Sequence, residues 1–238
     1  MWINPTRKPS CPYYLKLINK QSFGHPPTDL VVKPHTRKNS YLRFANFCTD
    51  TPEIDVYVEN RPIAKKLRYG TLSMYATLSP GKHLVKIYAP DDKHKVYYSD
   101  YITIDKDDII TTFAFDQTYN SELIGFNDDV IVIPTEIFIR FINCSPDAPP
   151  LTFIINLEKT FSNISVNLVP QYKKVKINSN YDIIIQRSDT DEVIYNVPNI
   201  ILIPGRAYTF YGIGIIDEEP PFQLVASLDG SSYFEDYY

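Results

Sequence analysis

Residues suited to acid–base or metal chemistry are scattered along this sequence. The four histidines are His25, His35, His83 and His94, and none stands next to a serine or cysteine in a recognisable nucleophile motif. A calcium loop of the Asp-x-Asp-x-Asp-Gly type is also missing, although Ca²⁺ needs about six to eight oxygen ligands. The sequence therefore predicts no catalytic residues, no metal site and no cofactor, and we expect the protein not to be an enzyme.

Acidic side chains also occur in adjacent pairs, which could suggest paired carboxylates for catalysis. These pairs are Asp91-Asp92, Asp107-Asp108, Asp128-Asp129 and Glu218-Glu219. Each pair lies between short β-type runs, where turns are expected. We expect them to be solvated turn residues rather than a catalytic pair.

The three cysteines, Cys11, Cys48 and Cys144, lie far apart, and no two have the C-x-x-C spacing of a structural zinc site. One interpretation is three thiols in a reducing compartment. The other rests on Cys11, which lies between Ser10 and Pro12 in a polar, proline-rich lead. A thiol there would be exposed, and an odd cysteine count makes an intermolecular disulfide through Cys11, Cys48 or Cys144 a hypothesis.

Charge and composition exclude several classes of protein. The 238 residues carry 24 basic and 28 acidic side chains, a balance that does not suit a nucleic-acid binder. An apolar content of 44% excludes a charge-dominated disordered chain. No apolar run reaches the length of about 18 residues that indicates a membrane-spanning helix. The first residues lack the apolar core of a signal peptide, so we expect synthesis in the cytoplasm without one.

The elements that must position these residues are short β-strands. Successive runs are rich in Ile, Val, Tyr, Phe and Thr, which favour strands. Proline is abundant, at 19 residues, and no helical stripe persists beyond two turns, so almost no helix is predicted. The predicted strands include Tyr13–Ile18, Asp29–Val32, Tyr41–Phe47, Ile54–Val58, Ser73–Leu78, His83–Tyr88, Tyr101–Ile104 and Ile109–Phe115.

The second half of the sequence repeats the first. Arg140 matches Arg43 at a shift of 140 − 43 = 97 residues. The same shift aligns Arg43-Phe44-Ala45-Asn46 with Arg140-Phe141-Ile142-Asn143, Asp50-Thr51-Pro52 with Asp147-Ala148-Pro149, Tyr75 with Tyr172, and Thr112-Phe113 with Thr209-Phe210. A repeat of this length is the size of one β-sandwich domain. We therefore predict an all-β chain of two tandem Ig-like β-sandwich domains, 41–132 and 136–238, after an extended N-terminal arm over 1–40.

A turn motif opens each predicted domain. A strand ending in Arg-Phe-x-Asn leads into a turn with Asp-x-Pro, in which Asp can accept backbone N–H bonds and Asn can bond the same corner. We expect the two arginines to lie across an outer sheet face. The residues of this structural turn motif are Arg43, Asn46, Asp50 and Pro52 in the first domain and Arg140, Asn143, Asp147 and Pro149 in the second.

These openings resemble the bacterial β-repeat family known as domain of unknown function 4397. The family shows Arg-(Val/Phe)-x-Asn, then Ser-Pro-Asp-Ala-Pro, then Val-Asp-Val-Tyr-Val. The chain departs from it at Cys48-Thr49, where Ser-Pro is usual, and at Leu151-Thr152-Phe153, where Val-Asp-Val is usual. The resemblance implies a surface or envelope protein without catalytic residues, similar to spore-coat and spore-appendage proteins.

Two functions remain open at this point. One is a non-enzymatic structural protein that self-assembles on a spore or cell surface, with the N-terminal arm linking subunits, so that its partners are copies of itself or other surface proteins. The exposed edge strands of sandwich domains favour this reading, because an edge can template another chain. The other is a surface-displayed carbohydrate- or polymer-binding module, favoured by the 19 tyrosines.

Overall fold

A computed structural model describes residues 14–17, 39–115, 122–128, 130 and 132–234. Within these ranges the chain is all β, apart from one short 3₁₀ turn over Gly230–Ser232. The predicted all-β sandwich fold is confirmed.

The strands fall into two sets that follow one another along the chain. The N-terminal half contains β1 (Tyr14–Leu17), β2 (Ser40–Asn46), β3 (Glu53–Val58), β4 (Arg61–Arg68), β5 (Thr71–Leu72), β6 (Ala76–Leu78), β7 (Gly81–Ala89), β8 (Asp92–Ile104), β9 (Ile109–Phe115) and β10 (Glu122–Asn127). The C-terminal half contains β11 (Ile137–Asn143), β12 (Leu151–Ile155), β13 (Glu158–Ile164), β14 (Lys173–Val175), β15 (Tyr181–Arg187), β16 (Val193–Ile200), β17 (Arg206–Ile213) and β18 (Gln223–Leu228).

Each half has an outer and an inner sheet, and the strand orders agree between the halves. The outer sheets run β4-β3-β7-β8 and β13-β12-β15-β16. The C-terminal inner sheet runs β14-β11-β17-β18, and the N-terminal one contains the matching series β6, β2, β9 and β10. β2 runs parallel to β9, as β11 does to β17. The N-terminal inner sheet has two additions, β5 beside β2 and β1 beside β10.

Backbone details repeat as well. The hairpins β3–β4 and β12–β13 each turn through two residues of positive φ, Glu59-Asn60 and Asn156-Leu157. Two such residues are typical of the type I′ turn, whose twist matches that of the flanking strands. Lys66 and Asn163 also share a positive φ, of 49° and 55°, in the irregularly paired strands β4 and β13.

The two inner sheets pack face to face, so the described part of the chain is a stack of four layers. Alternate residues of a strand face opposite sides, and on β2 Leu42 and Phe44 point into the core with the outer sheet. Ala45, beside them, points into a second core that the two halves share. That core includes Phe47 and Tyr211, whose ring centroids lie 5.0 Å apart. Both inner sheets are therefore buried on both faces.

Residues Ile133–Glu136, which join the two predicted domains, form a hydrogen-bonded turn between the halves. The Glu136 amide donates to the Ile133 carbonyl at 2.9 Å, and the Gly205 amide donates to the Glu136 carbonyl at 2.7 Å. Gly205 has a φ of +74°, and a side chain there would meet the Pro134 backbone at 3.3 Å. This joint is short and bonded to the C-terminal half.

Of the predicted arm, the structure describes one strand and the junction with β2. β1 lies within the predicted run Tyr13–Ile18 and pairs in parallel with β10 at the sheet edge. The other predicted arm strand, Asp29–Val32, lies outside the described residues.

Candidate functional site

The largest concentration of buried charge lies between the two inner sheets. It consists of Arg43 on β2, Asp128 after β10, Arg140 on β11 and Asp229 after β18, and we call these four residues the crossed arginine cluster. The arginine side chains are 4% exposed and the carboxylates 0%. The formal charges are two positive and two negative, so the cluster is neutral when all four groups are ionised.

Arg43 reaches from the N-terminal half into the C-terminal half. Its Nη2 lies 2.8 Å from Asp229 Oδ1 and 3.2 Å from Asp128 Oδ2. Its Nη1 donates to the Leu228 carbonyl at 2.9 Å, and its Nε donates to Thr111 Oγ1 at 2.6 Å. Every arm of this guanidinium is therefore satisfied by a named partner.

Arg140 makes the reverse crossing. Its Nη2 lies 2.9 Å from Asp128 Oδ1, and its Nη1 donates to the Asn127 carbonyl at 3.1 Å. Its Nε donates to Thr209 Oγ1 at 3.1 Å. Each arginine thus binds the residues that end the last strand of the opposite half.

Two tyrosines complete the cluster. The ring of Tyr75 lies 4.5 Å from the Arg43 guanidinium carbon, and its hydroxyl donates to Asp128 at 2.5 Å. The ring centroid of Tyr172 lies 4.2 Å from the Arg140 guanidinium carbon, and the Tyr172 hydroxyl donates to Asp229 at 2.7 Å. An aromatic face attracts a guanidinium most strongly where water is excluded.

Burial and neighbouring charges set the protonation states here. Burial disfavours the charged form of both arginines, but the carboxylates and tyrosines around them raise the pKa of Arg43 and of Arg140 above the ordinary value. Burial and repulsion from Asp128 together raise the pKa of Asp229 to about 6, although the two arginines lower it. Asp229 therefore takes up a proton under mild acid.

The chemistry of the cluster is suited to holding the two halves together rather than to converting a substrate. Its groups are sealed from solvent and bonded to one another, so a substrate would have to separate the halves to reach them. Removing one partner of a buried pair leaves an uncompensated charge, which is strongly destabilising. The cluster therefore makes the relative position of the two halves specific.

The arginines do not lie across an outer sheet face, so that expectation was wrong. Both are 3% exposed and lie between the inner sheets. Asp108 and Asp128 were expected to be solvated turn residues, and this too was wrong, because they are 8% and 0% exposed. Arg43, Arg140 and Asp128 each have an ion-pair partner in the other half of the chain, where local sequence cannot point to it.

The two asparagines of the turn motif bond the corner beside them in the same way. Asn46 Nδ2 donates to the carbonyls of Thr51 and Leu67, at 2.9 and 3.2 Å, and its Oδ1 accepts from the Cys48 amide. Asn143 makes the corresponding bonds in the other half, to the carbonyls of Pro149 and Ile164 and from the amide of Ser145.

The aspartates and prolines of the motif lie in the same corners. Asp50 accepts hydrogen bonds from Cys48 Sγ at 3.1 Å and from Thr51 Oγ1 at 2.9 Å. Asp147 accepts from Ser145 Oγ at 3.1 Å and from the Ile216 amide at 3.2 Å. Pro52 and Pro149 each offer their carbonyl, to the Tyr69 amide and to Asn143 respectively.

Two of the three cysteines lie inside the molecule. Cys48 and Cys144 are 0% exposed, and burial raises the pKa of the Cys144 thiol well above its ordinary value. A cysteine in this state reacts poorly, because the thiolate is the nucleophile. Cys11 lies outside the described residues.

The predicted chemistry-bearing residues are not brought together. In the described ranges, no group of three or more His, Cys, Asp or Glu side chains could hold a metal ion. His83 lies by the Ser79 carbonyl, 2.8 Å from its Nε2, and His94 is exposed. His25 and His35 lie outside these ranges. No helix in them is long and apolar enough to cross a membrane.

Asp229, Thr111 and the roles of Tyr75 and Tyr172 were missed by sequence reasoning. The repeat did pair Tyr75 with Tyr172, and that pairing was a usable signal. It also paired Thr112 with Thr209, and this pairing was wrong by one residue. Arg43 lies opposite Thr111 and Arg140 opposite Thr209, so the equivalent threonines are 209 − 111 = 98 residues apart.

Known proteins give limited further guidance. No curated protein matches the chain. Among solved structures, a family 26 carbohydrate-binding module from Eubacterium rectale, in complex with maltoheptaose, is 10% identical and matches with a TM-score of 0.25 over 78% of this chain and 95% of its own. A putative adhesin from Bacteroides ovatus is 10% identical, with a TM-score of 0.21 over 78% and 91%.

A family model matches over a large part of the chain. It covers residues 40–152, from β2 through the first two strands of the C-terminal half. The match includes both Arg-Phe-x-Asn openings, which carried the resemblance in the sequence. Residues 40–152 are thus similar to the family described as Domain of unknown function (DUF4397), as the openings predicted.

Proposed function

We propose that the chain is a non-enzymatic structural subunit that self-assembles on a spore or cell surface, with the N-terminal arm linking subunits. In this proposal, residues 41–132 and 136–238 are tandem Ig-like β-sandwich domains that act as one rigid building block. The surface location rests on what the family resemblance implies.

The observation that carries the proposal is the strand β1. It joins the sheet through parallel backbone pairing with β10, from Tyr14 opposite Glu122 to Leu17 opposite Gly125. Backbone pairing of this kind is how an extended segment adds to a sheet edge in many assemblies. The arm therefore contains a segment that is able to complete a sheet edge.

The length of the arm allows β1 to act beyond its own chain. Residues 18–38, which number 38 − 18 + 1 = 21, separate β1 from the residues that precede β2. An extended segment of this length spans about 70 Å. Because 21 residues are enough to reach a neighbouring copy, the arm is suited to joining subunits.

The block to which the arm is attached suits a structural role. The shared core and the crossed arginine cluster hold the halves in one arrangement. A subunit with fixed geometry repeats the same contact at every step, and a heterologous contact that repeats builds a ring or an open filament.

Negative-stain electron microscopy of the full chain, with and without reductant, tests the proposal. We expect filaments or sheets from the full chain and dispersed particles from a chain that lacks residues 1–38. The truncation stops there because Ser40 begins β2 and its hydroxyl donates to the Asp105 carbonyl at 2.7 Å. Unchanged assembly of the truncated chain would refute a linking role for the arm.

A Cys11→Ser variant of the full chain separates the two ways in which the arm could link subunits. Assembly that survives this substitution depends on strand pairing, whereas assembly that it abolishes depends on a disulfide. Cys48 and Cys144 provide the internal comparison, because both are fully buried.

Dispersed monomers under every condition would favour the alternative, a carbohydrate- or polymer-binding module. Tyr101 is the side chain to test in that case, because it is 49% exposed and Lys82 Nζ lies 4.5 Å from its ring centroid. A glycan array would then show binding that Tyr101→Ala weakens.

A further inference from the structure

β10 and β18 are equivalent strands with different surroundings. Each pairs antiparallel with the central strand beside it, β9 or β17, and each leads directly into an aspartate of the crossed arginine cluster. β10 carries β1 on its other side, whereas β18 is the last strand of its sheet in the described part of the chain. The halves therefore differ most at this edge.

Side-chain burial follows the same difference. The two aspartates are 229 − 128 = 101 residues apart, and this shift aligns Ile124 with Val225 and Gly125 with Ala226. Ile124 and Gly125 are both buried beneath the completed edge, but Val225 is only partly buried and Ala226 is exposed. An open strand edge with small, exposed residues is a ready template for another strand.

We infer that β18 is the acceptor edge for the β1 strand of a second copy of this chain. β1 fits this kind of edge, because it already pairs with the equivalent strand in the other half. In the assembly, β1 of one copy leaves β10 of its own chain and pairs with β18 of the next copy. This inference rests on the proposed function and names the surface that the arm binds.

The pairing on β10 fixes the register expected on β18. Leu15, Lys16 and Leu17 lie opposite Leu123, Ile124 and Gly125. The shift of 101 residues then places these three residues opposite Leu224, Val225 and Ala226 of the second copy. The contact is heterologous, since it joins the arm of one copy to the C-terminal half of the next.

Mixed cross-linking of two full-length chains tests this register directly. One chain carries Leu17→Cys and the other Ala226→Cys, both with Cys11→Ser to remove the arm thiol. We expect a heterodimer on a non-reducing gel that disappears with reductant. The matched control replaces Ala226→Cys with Ile177→Cys, at a site that is 54% exposed away from β18, and should give at least tenfold less heterodimer.

Proline substitution provides a second test that does not use cysteines. The amides of Val225 and Ala226 point to opposite sides of β18, one toward β17 and the other toward the open edge. Val225→Pro and Ala226→Pro are therefore a matched pair. Proline at the residue whose amide faces β17 breaks a hydrogen bond within the sheet and lowers stability. Proline at the residue whose amide faces the open edge leaves stability unchanged, and we expect this second variant to lose assembly.

The outcomes separate this inference from the proposed function. Suppose that the full chain forms filaments, that no cross-link forms, and that both proline variants still assemble. This result would overturn the assignment of β18 as the acceptor edge and leave the proposed structural role standing. A cross-link without filaments would support the acceptor edge and overturn polymer formation. Neither filaments nor cross-link would overturn both.

Discussion

Arg43 and Arg140 occupy equivalent positions in the two halves, but their environments are not equivalent. Arg43 forms ion pairs with both Asp128 and Asp229, whereas Arg140 pairs with Asp128. Arg140 has aromatic rings as compensation, with its guanidinium carbon 4.5 Å from the Phe126 centroid as well as close to Tyr172. Two halves with matching strand orders thus meet in an asymmetric interface.

The asymmetry places unequal demands on the two carboxylates. Asp128 forms ion pairs with both arginines and accepts a hydrogen bond from the Tyr75 hydroxyl. Asp229 pairs with Arg43 and accepts from Thr209 Oγ1 at 2.6 Å, and its pKa is raised to about 6. Equivalent positions in a repeat therefore need not contribute equally to stability.

Asp128→Ala should have the largest effect. It leaves two buried arginines with one carboxylate, and removing one partner of a buried ion pair costs about 3–5 kcal/mol. Urea denaturation of the full chain measures this loss, with Asp189→Ala as an exposed control that should change stability by less than about 0.5 kcal/mol. A similar small change for both variants would contradict a fastening role.

The pH dependence of stability should separate Asp229 from other carboxyls. Its pKa is about 6 in the folded chain and 3.8 ordinarily, so between these values the folded state binds more protons than the unfolded state. The contribution of Asp229 to the free energy of unfolding therefore falls as pH rises through this window, by up to about 3 kcal/mol. Urea titrations from about pH 4 to pH 7 measure it, and Asp229→Asn should remove it.

Asp55 gives a control of opposite sign. Burial opposes its ionisation, but hydrogen bonds from the Lys65 ammonium and from the amides of Lys66 and Asp91 outweigh burial and lower the pKa of Asp55. The stability that it contributes is present above the ordinary pKa and is lost as pH falls through the folded value. Equal pH profiles for Asp229→Asn and Asp55→Asn would contradict both assignments.

The smallest expected effect is the difference between the two arginines. Arg43→Met leaves Asp229 without its ion-pair partner, whereas Arg140→Met leaves Asp128 still paired with Arg43. We expect Arg43→Met to be the more destabilising by about 1–2 kcal/mol. Denaturation of the two variants side by side measures this difference, and equal losses would show that the asymmetry carries no energetic weight.

Much of the fold could be predicted, because the apolar runs that form β2, β3, β7 and β9 are also the runs that face a core. β4 was missed, since Arg61–Arg68 is mostly exposed and charged and is held by its pairing with β3. The first part of β8 was missed for the same reason. Strands of this kind form because they pair with a neighbouring strand, and their own side chains do not predict them.

The crossed arginine cluster could not be predicted from local sequence. Its carboxylates lie 85 and 186 residues from Arg43. One signal was available, because the run Tyr41–Phe47 has apolar residues on both alternating faces, with Leu42 and Phe44 on one and Ala45 and Phe47 on the other. A strand of this kind is buried on both faces, and an arginine within it must then find a buried partner.

Phe234 brings the end of the described chain back to the start of the first inner strand. Its ring stacks on Tyr41 with centroids 3.7 Å apart, and Tyr41 follows Ser40 at the beginning of β2. The start of β2 and the last described residue therefore lie at the same end of the molecule. A circular permutant with a short connection from 234 to 39 should close without strain.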